Sequence, residues 1–223
     1  MAKVPSCEVV LVRHAHSTAN LKGVLAGRDN RVGLSDRGKL EAQELATALQ
    51  SGDFDAIYSS PLRRCKETIA PLLDIKKQKL EFLDDLVEME YGRWSGKLLS
   101  VLAKEELWKK IQSRPSTVRF PGGESFSEMS LRANQVLLAK AEGKRRIMVV
   151  SHGDVIKSIV AFHLGLSLDL FQRITIDPAS ITTIRLPGSQ VVHVNSIAHL
   201  SKGAVGTKVK RDRFTLGGGA GTV

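Results

Sequence analysis

Two short runs constrain this chain more than anything else in it. Residues 8–13, "EVVLVR", and 145–152, "RRIMVVSH", are nearly unbroken apolar segments rich in branched side chains, and each delivers a histidine at its end, His14 or His152. A strand that is apolar on both sides has to be covered on both faces, which is the condition of a parallel sheet packed between helices. In such sheets ligands bind beyond the carboxyl ends of the strands. Two histidines at two such ends therefore predict a fold and a place for chemistry together.

The segments between these runs complete the pattern. Ala42, Leu45, Ala46 and Leu49 recur at helical spacing, with Ser51-Gly52 as the stop. "DAIYSS" (55–60) reads as another strand, and Pro61 suits the first turn of a following helix whose stripe is Leu62, Cys65, Ile69 and Leu72. The section 84–122 is less regular, with one helix expected near 98–112 and a turn at "RFPGGES". Ser125 with Glu128 is a capping-box signature for a helix through Met129, Ala133, Val136 and Leu137. A helix, "GDVIKSIVAFHLG", leaves directly from the strand at 145–152, and "ITTIRL" with "QVVHVN" forms a hairpin turned at Pro187-Gly188. Alternating strands and helices predict an α/β fold, a three-layer α/β/α sandwich with a mainly parallel central sheet. We assign residues 1–196 to one catalytic domain and 197–223 to a flexible, basic, Gly-rich tail.

Of the net charge of +10, five cations against Asp212 place +4 in residues 201–223 and leave +6 for the body. That excess suits a protein that binds phosphorylated molecules; it also suits nucleic-acid binders, so charge alone does not choose. No apolar run reaches the roughly 18 residues a membrane-spanning helix needs. The first residues do not read as a signal peptide. Cys7 and Cys65 match neither a zinc nor a disulfide framework, so a reducing cytoplasm is expected.

The stretch "RHAHSTAN" (13–20) has two chemical readings. His14-Ala15-His16 is half of a metal site, or His14 is a nucleophile with Arg13 holding an anion. At about 4 Å and an effective dielectric near 20, Arg13 would repel each unit of metal charge by roughly 4 kcal/mol and attract a phosphate by a similar amount. The anion reading is favoured, and no metal or other cofactor is expected.

At this point the residues resemble a known family. "RHAHSTAN" is similar to the R-H-G-x-[ST]-x-x-N signature of the histidine phosphatase superfamily, in its phosphoglycerate-mutase-like branch, and "SSPLRRCKET", "EMEYGRWSG", "FPGGES" and "SHGDVIKSIV" match further family segments in order. The resemblance runs from about residue 8 to 186, and "FQRITIDPAS" with "GGGAG" looks most like an actinobacterial branch of it. It implies that His14 is the phosphoryl-accepting nucleophile, with Arg13 and Arg64 (in preference to Arg63) as phosphate-binding cations. It makes Glu88 the proton donor and His152 a second histidine at the phosphoryl group. Asn20 and Ser17 would bind phosphate, Gly27 and Arg28 would lie in a loop over the substrate, and the helix opened by Gly153 would add its dipole. His16, His163, His193 and His199 are left as ordinary histidines.

Two positions depart from the pattern. Ala15 replaces the usual glycine and would hold the backbone further from substrate; Cys65 stands where alanine is common. Mutases of the branch carry Trp before the motif asparagine, where this chain has Ala19, and a longer insertion than residues 89–151 provide. A phosphatase acting on a small phosphorylated metabolite is therefore expected, with "RDNRVG", the 98–120 region, Arg114 and Arg119 shaping selectivity. A cofactor-dependent mutase is the alternative; a metal-dependent hydrolase and a non-catalytic phosphate- or nucleic-acid-binding module stand behind it. A homodimer is compatible with this reading.

Overall fold

A computed structural model of the chain describes residues 6–201. Six strands form one sheet: β1 (Cys7–Arg13), β2 (Ala56–Ser59), β3 (Leu80–Phe82), β4 (Arg146–Ser151), β5 (Ile181–Leu186) and β6 (Gln190–Ser196), in the order β3-β2-β4-β1-β5-β6. The first four run parallel, and β5 and β6 close one edge as an antiparallel hairpin. Seven helices accompany them: α1 (Thr18–Leu21), α2 (Asp36–Leu49), α3 (Arg63–Lys76), α4 (Leu99–Leu102), α5 (Glu106–Ser113), α6 (Phe126–Ala141) and α7 (Gly153–His163).

The alternation of side chains along a strand divides the core in two. Val9 and Leu11 of β1, with Ile147 and Val149 of β4, face a large cluster with Phe126, Met129, Ile156 and Ile159 of α6 and α7. Val10, Val12, Met148 and Val150 face the opposite way, onto Leu45 and Ala46 of α2 and Ile69 and Leu72 of α3. Both faces of the sheet are thus dry, and the three-layer arrangement follows from the unbroken apolar runs.

Several local expectations need correction. The 98–112 region is two helices, not one: Leu99 and Leu102 face the core, and so do Leu107, Trp108 and Ile111, but the step from 102 to 107 is out of phase with one continuous helix, so a break lets both stripes pack. Pro61 lies ahead of α3 and outside its first turn. Leu62 is the extended N-cap residue, and the Ser60 hydroxyl accepts its N–H at 3.3 Å. The stop at Ser51-Gly52 agrees with α2, which starts under a cap from Ser35 and ends at Leu49 with Gln50 as its C-cap. The one-turn helix α1 and the three-residue β3 were too short to carry a periodic signal. Of the proposed tail, residues 202–223 lie outside the described residues; Leu200 packs against Ala15, Leu34, Ala42 and Ala179, and the Ser201 N–H donates to Glu44.

The register is what places the site. Arg13 pairs with Ser151, so β1 and β4 stop at the same level, and the His14 N–H extends the ladder by donating to Ser151 O at 2.9 Å. Ser60, leaving β2, does the same to Val150 O at 2.9 Å. Three chain exits, at His14, Ser60 and His152, therefore lie side by side.

Candidate active site

A cleft opens above these exits, and its wall includes Arg13, His14, Ser17, Asn20, Gly27, Arg64 and Glu88. Seven of the ten residues singled out from the sequence thus meet in one place. Three do not reach the wall. His152 is fully buried behind His14, its ring centroid 5.3 Å from that of His14. Gly153 is buried as the first residue of α7. Arg28 is turned onto carboxylates, as described below.

His14 has one ring nitrogen committed. Its Nδ1 lies 2.8 Å from the Ala15 carbonyl oxygen. A carbonyl only accepts, so Nδ1 carries the proton and the lone pair sits on Nε2. Burial first, and then the charges of Arg64 and Arg13, hold the ring's pKa well below the ordinary histidine value. The imidazole is therefore neutral, in one tautomer, with its nucleophilic nitrogen available. The Ala15 N–H is fixed by Thr68 Oγ1 at 2.9 Å, and the Ala15 methyl belongs to a small apolar cluster with Leu34, Ala42 and Ala179. The expected obstruction at Ala15 is corrected: its side chain serves the core and is absent from the cleft wall.

The two arginines are held from behind. Arg13, completely buried, donates from Nη1 to Ile176 O at 2.5 Å. Arg64 donates from Nη2 to Gly27 O at 2.7 Å, with Nη1 3.4 Å from Asp29 O. These carbonyls orient the two guanidinium groups from behind. Gly27 has φ +53°, and a Cβ there would meet Ser95 Oγ at 2.6 Å, so only glycine brings this carbonyl to Arg64. Arg63, by contrast, points outward and donates to Glu67 at 2.6 Å. Burial of the α3 stripe decides between the neighbours.

Asn20 and Ser17 form a capping box at α1: Asn20 Oδ1 accepts from the Ser17 N–H and hydroxyl at 2.9 and 2.8 Å, and Ser17 Oγ accepts the Asn20 N–H. The amide oxygen is spent, so what Asn20 presents is its NH₂, a donor. His16 does not join His14 in a shared site. Its Nδ1 is bonded to Ser35 Oγ at 2.8 Å, its N–H donates to Glu41, and burial followed by Arg37 and Arg13 lowers its pKa to about 4.

Glu88 approaches from the other side, on the irregular segment after β3. Burial first, and Asp154 next, raise its carboxyl to about 7 against the opposing pull of Arg64, the Met89 N–H and Arg13. Its Oε1 accepts that N–H at 2.9 Å, and its Oε2 lies 4.0 Å from His152 Nδ1. The main chain here is clamped: Arg28 Nε and Arg132 Nη2 both donate to Glu88 O, at 3.0 and 3.3 Å, and both arginines also bond Glu124. Arg28 is additionally 3.3 Å from Glu90. The bonds from Arg28 and Arg132 hold the Glu88 main chain in place. Of the other residues expected to shape selectivity, Arg119 is paired with Glu128 and Arg31 with Asp29, whereas Leu99 of the 98–120 region lines the cleft.

Sequence reasoning missed the support behind these groups. Tyr91 lines the cleft, and its hydroxyl donates to Asp154 Oδ2 at 2.7 Å; Lys157 lies 3.6 Å from Asp154 Oδ1 and donates to Gln172 at 3.1 Å. Ser60 Oγ meets His152 Nε2 at 2.8 Å. Tyr91, Ser60, Thr68 and Asp154 all stand inside the quoted motifs, but only Lys157, a charge in an apolar helix run, carried a signal of its own. The Cys65 thiol, 3.5 Å from His152 Nε2, is pushed up to about 12, chiefly by burial, and is inert as a nucleophile.

Comparison with known proteins agrees with this geometry. Residues 9–197 match the model of the histidine phosphatase superfamily (branch 1). Phosphoserine phosphatase 1 of Hydrogenobacter thermophilus is 30% identical over 201 residues, covering 87% of this chain and 95% of the relative. The 2-carboxy-D-arabinitol-1-phosphatase of Triticum aestivum is 32% identical over 169 residues, 74% of this chain and 34% of that protein. A crystal structure of a phosphoserine phosphatase mutant from Entamoeba histolytica in complex with phosphoserine superposes with a TM-score of 0.79 at 26% identity, covering 87% of this chain and all of the other. With its strand-end histidines, inward arginines and facing carboxyl group, this chain belongs to the histidine phosphatase superfamily.

Proposed function

We propose that the cleft hydrolyses phosphate monoesters of small metabolites through a phosphohistidine on His14, without a metal ion. The observation that carries this reading is the Nδ1 bond to the Ala15 carbonyl, which leaves a neutral imidazole with Nε2 as the free base. In the first step the Nε2 lone pair forms a bond to phosphorus as the ester P–O bond breaks, and Glu88 gives its proton to the departing oxygen. Arg13 and Arg64, with the Asn20 amide, brace the phosphoryl oxygens while charge moves across them. In the second step Glu88, now a carboxylate, takes a proton from water as its oxygen attacks phosphorus; the N–P bond breaks and neutral His14 returns. A carboxyl group near 7 is suited to both roles. His152 packs against both nucleophile and acid, its ring centroid 5.3 Å from that of His14 and its Nδ1 4.0 Å from Glu88 Oε2.

Relatives named as phosphatases of small phosphorylated compounds support the substrate class. Among the described residues no helix is long and apolar enough to cross a membrane, and the unpaired, buried Cys7 and Cys65 support a cytoplasmic setting. A homodimer is an expectation that the mass of the purified chain in solution tests. The decisive experiment follows phosphate release from phenyl phosphate in EDTA, with a rapid quench of ³²P-labelled ester. We expect undiminished activity and an acid-labile label on position 14, absent from His14→Ala. Loss of activity on chelation, or turnover with no labelled protein, would overturn the mechanism.

A further inference from the structure

The chemistry occupies one part of the cleft wall and leaves another to meet the alcohol half of the substrate. Among the described residues that line the cleft, Arg13, His14, Arg64 and Glu88 carry all the charge or basicity, and each has work at the phosphoryl group. The rest of the wall is built largely by Val24, Leu25 and Ala26 with Leu99. These two segments are stitched together main chain to main chain. Val24 bridges Leu98, Leu25 N–H donates to Lys97 O at 2.9 Å, and Leu99 N–H donates to Gly23 O at 2.8 Å. That pairing occupies both backbone groups of Leu25 and the Leu99 N–H, and the side chains these segments bring to the wall are apolar. Tyr91 adds a ring whose hydroxyl is already given to Asp154. Leu98 and Val101, next along the chain to Leu99, are about half exposed. Lys22 and Lys97 flank these segments, but neither lines the cleft. Arg28, the cation best placed in sequence to read a second acidic group, is spent on Glu88 O, Glu90 and Glu124.

Resting on the phosphatase reading, we infer that this cleft selects phosphate monoesters whose alcohol part is uncharged and mainly apolar, with Val24, Leu25 and Leu99 as the selecting residues. A carboxylate on that part would lose its hydration against a wall that supplies no partner, and burying an unpaired ion is strongly unfavourable.

The test compares phenyl phosphate with 4-carboxyphenyl phosphate, two esters whose leaving phenols differ little in acidity. The wild-type kcat/KM should favour phenyl phosphate by about tenfold or more, although the chain's net charge of +10 favours the more anionic ester. Leu99→Lys should move the ratio toward the carboxylated ester by about tenfold, by placing a cation in the wall. Equal or better turnover of the carboxylated ester by the wild type would overturn this inference and leave the phosphatase reading standing. Turnover of neither ester would overturn both. The wild-type comparison decides even where Leu99→Lys folds poorly.

Discussion

The floor of the cleft and its roof are held by different means. The floor is the common end of β1, β2 and β4, where ladder bonds continue past the strands to fix His14 and Ser60, and strands buried on both faces have no room to shift. The roof is the irregular stretch that carries Glu88, Tyr91 and Leu99, and polar groups tie it down: two arginines on the Glu88 carbonyl, Glu124 between them, and Asp154 under Tyr91. In the proposed mechanism the floor supplies a fixed nucleophile of one tautomer. The roof supplies an acid whose pKa is raised by burial first and Asp154 next, and whose main chain the arginines hold in place. In the reading proposed above, the nucleophile belongs to the first region, and the acid, with Leu99 of the selecting wall, to the second.

The sharpest way to break this contrast is on the floor. His14→Ala should lower kcat on the order of 10⁵-fold or more, measured as released phosphate, while the thermal midpoint stays near that of the wild type because the ladder is intact. On the roof, Glu88→Gln should cost about 10²–10⁴-fold with an alkyl phosphate and clearly less with an aryl phosphate, whose leaving group needs the proton less. The same acid predicts a pH limit. With Glu88 near 7 and required in its protonated form, kcat/KM for an alkyl ester should fall as pH rises above about 7, and a profile flat to pH 9 would remove it as the acid.

Stability should respond to pH through the floor. Folding holds His14 and His152 neutral far below the ordinary value, by burial first and then by Arg64. The unfolded chain protonates them near ~6.5, so their contribution is intact above that pH and is lost as pH falls below it. Each lowers the folding equilibrium constant by up to about tenfold per pH unit. Denaturant midpoints between pH 7.5 and 5 check this, and the slope should flatten in His14→Ala. The smallest effect is expected at the roof's clamp. Arg132→Met should reduce kcat about tenfold by loosening the acid's position with little change in inhibition by inorganic phosphate. Parallel loss of both would mean that roof and floor are not separable.

Much of the fold and of the site was legible in the sequence, because its signals are local. β1 and β4 announced themselves by unbroken branched runs, and α6 by its capping box, whose two reciprocal bonds are both present. Short elements such as α1 and β3 give no period to read, and the break between α4 and α5 follows from two apolar stripes competing for one core. At the site, position 14 and its arginine followed from charge and spacing. Arg28 could not be placed that way, since its carboxylate partners Glu90 and Glu124 come from segments far along the chain.

The sequence by itself determined the layered sheet, its longer strands and helices, and which residues would arrive at the strand ends. The tertiary structure alone decided that Arg28 turns onto Glu90 and Glu124, that Glu88 sits where burial and Asp154 raise its pKa, and that Val24, Leu25 and Leu99 line the same cleft. The reason is range. Periodicity and capping act between residues a few positions apart, whereas desolvation and charge coupling depend on which distant segments fold to within a few ångströms of one another.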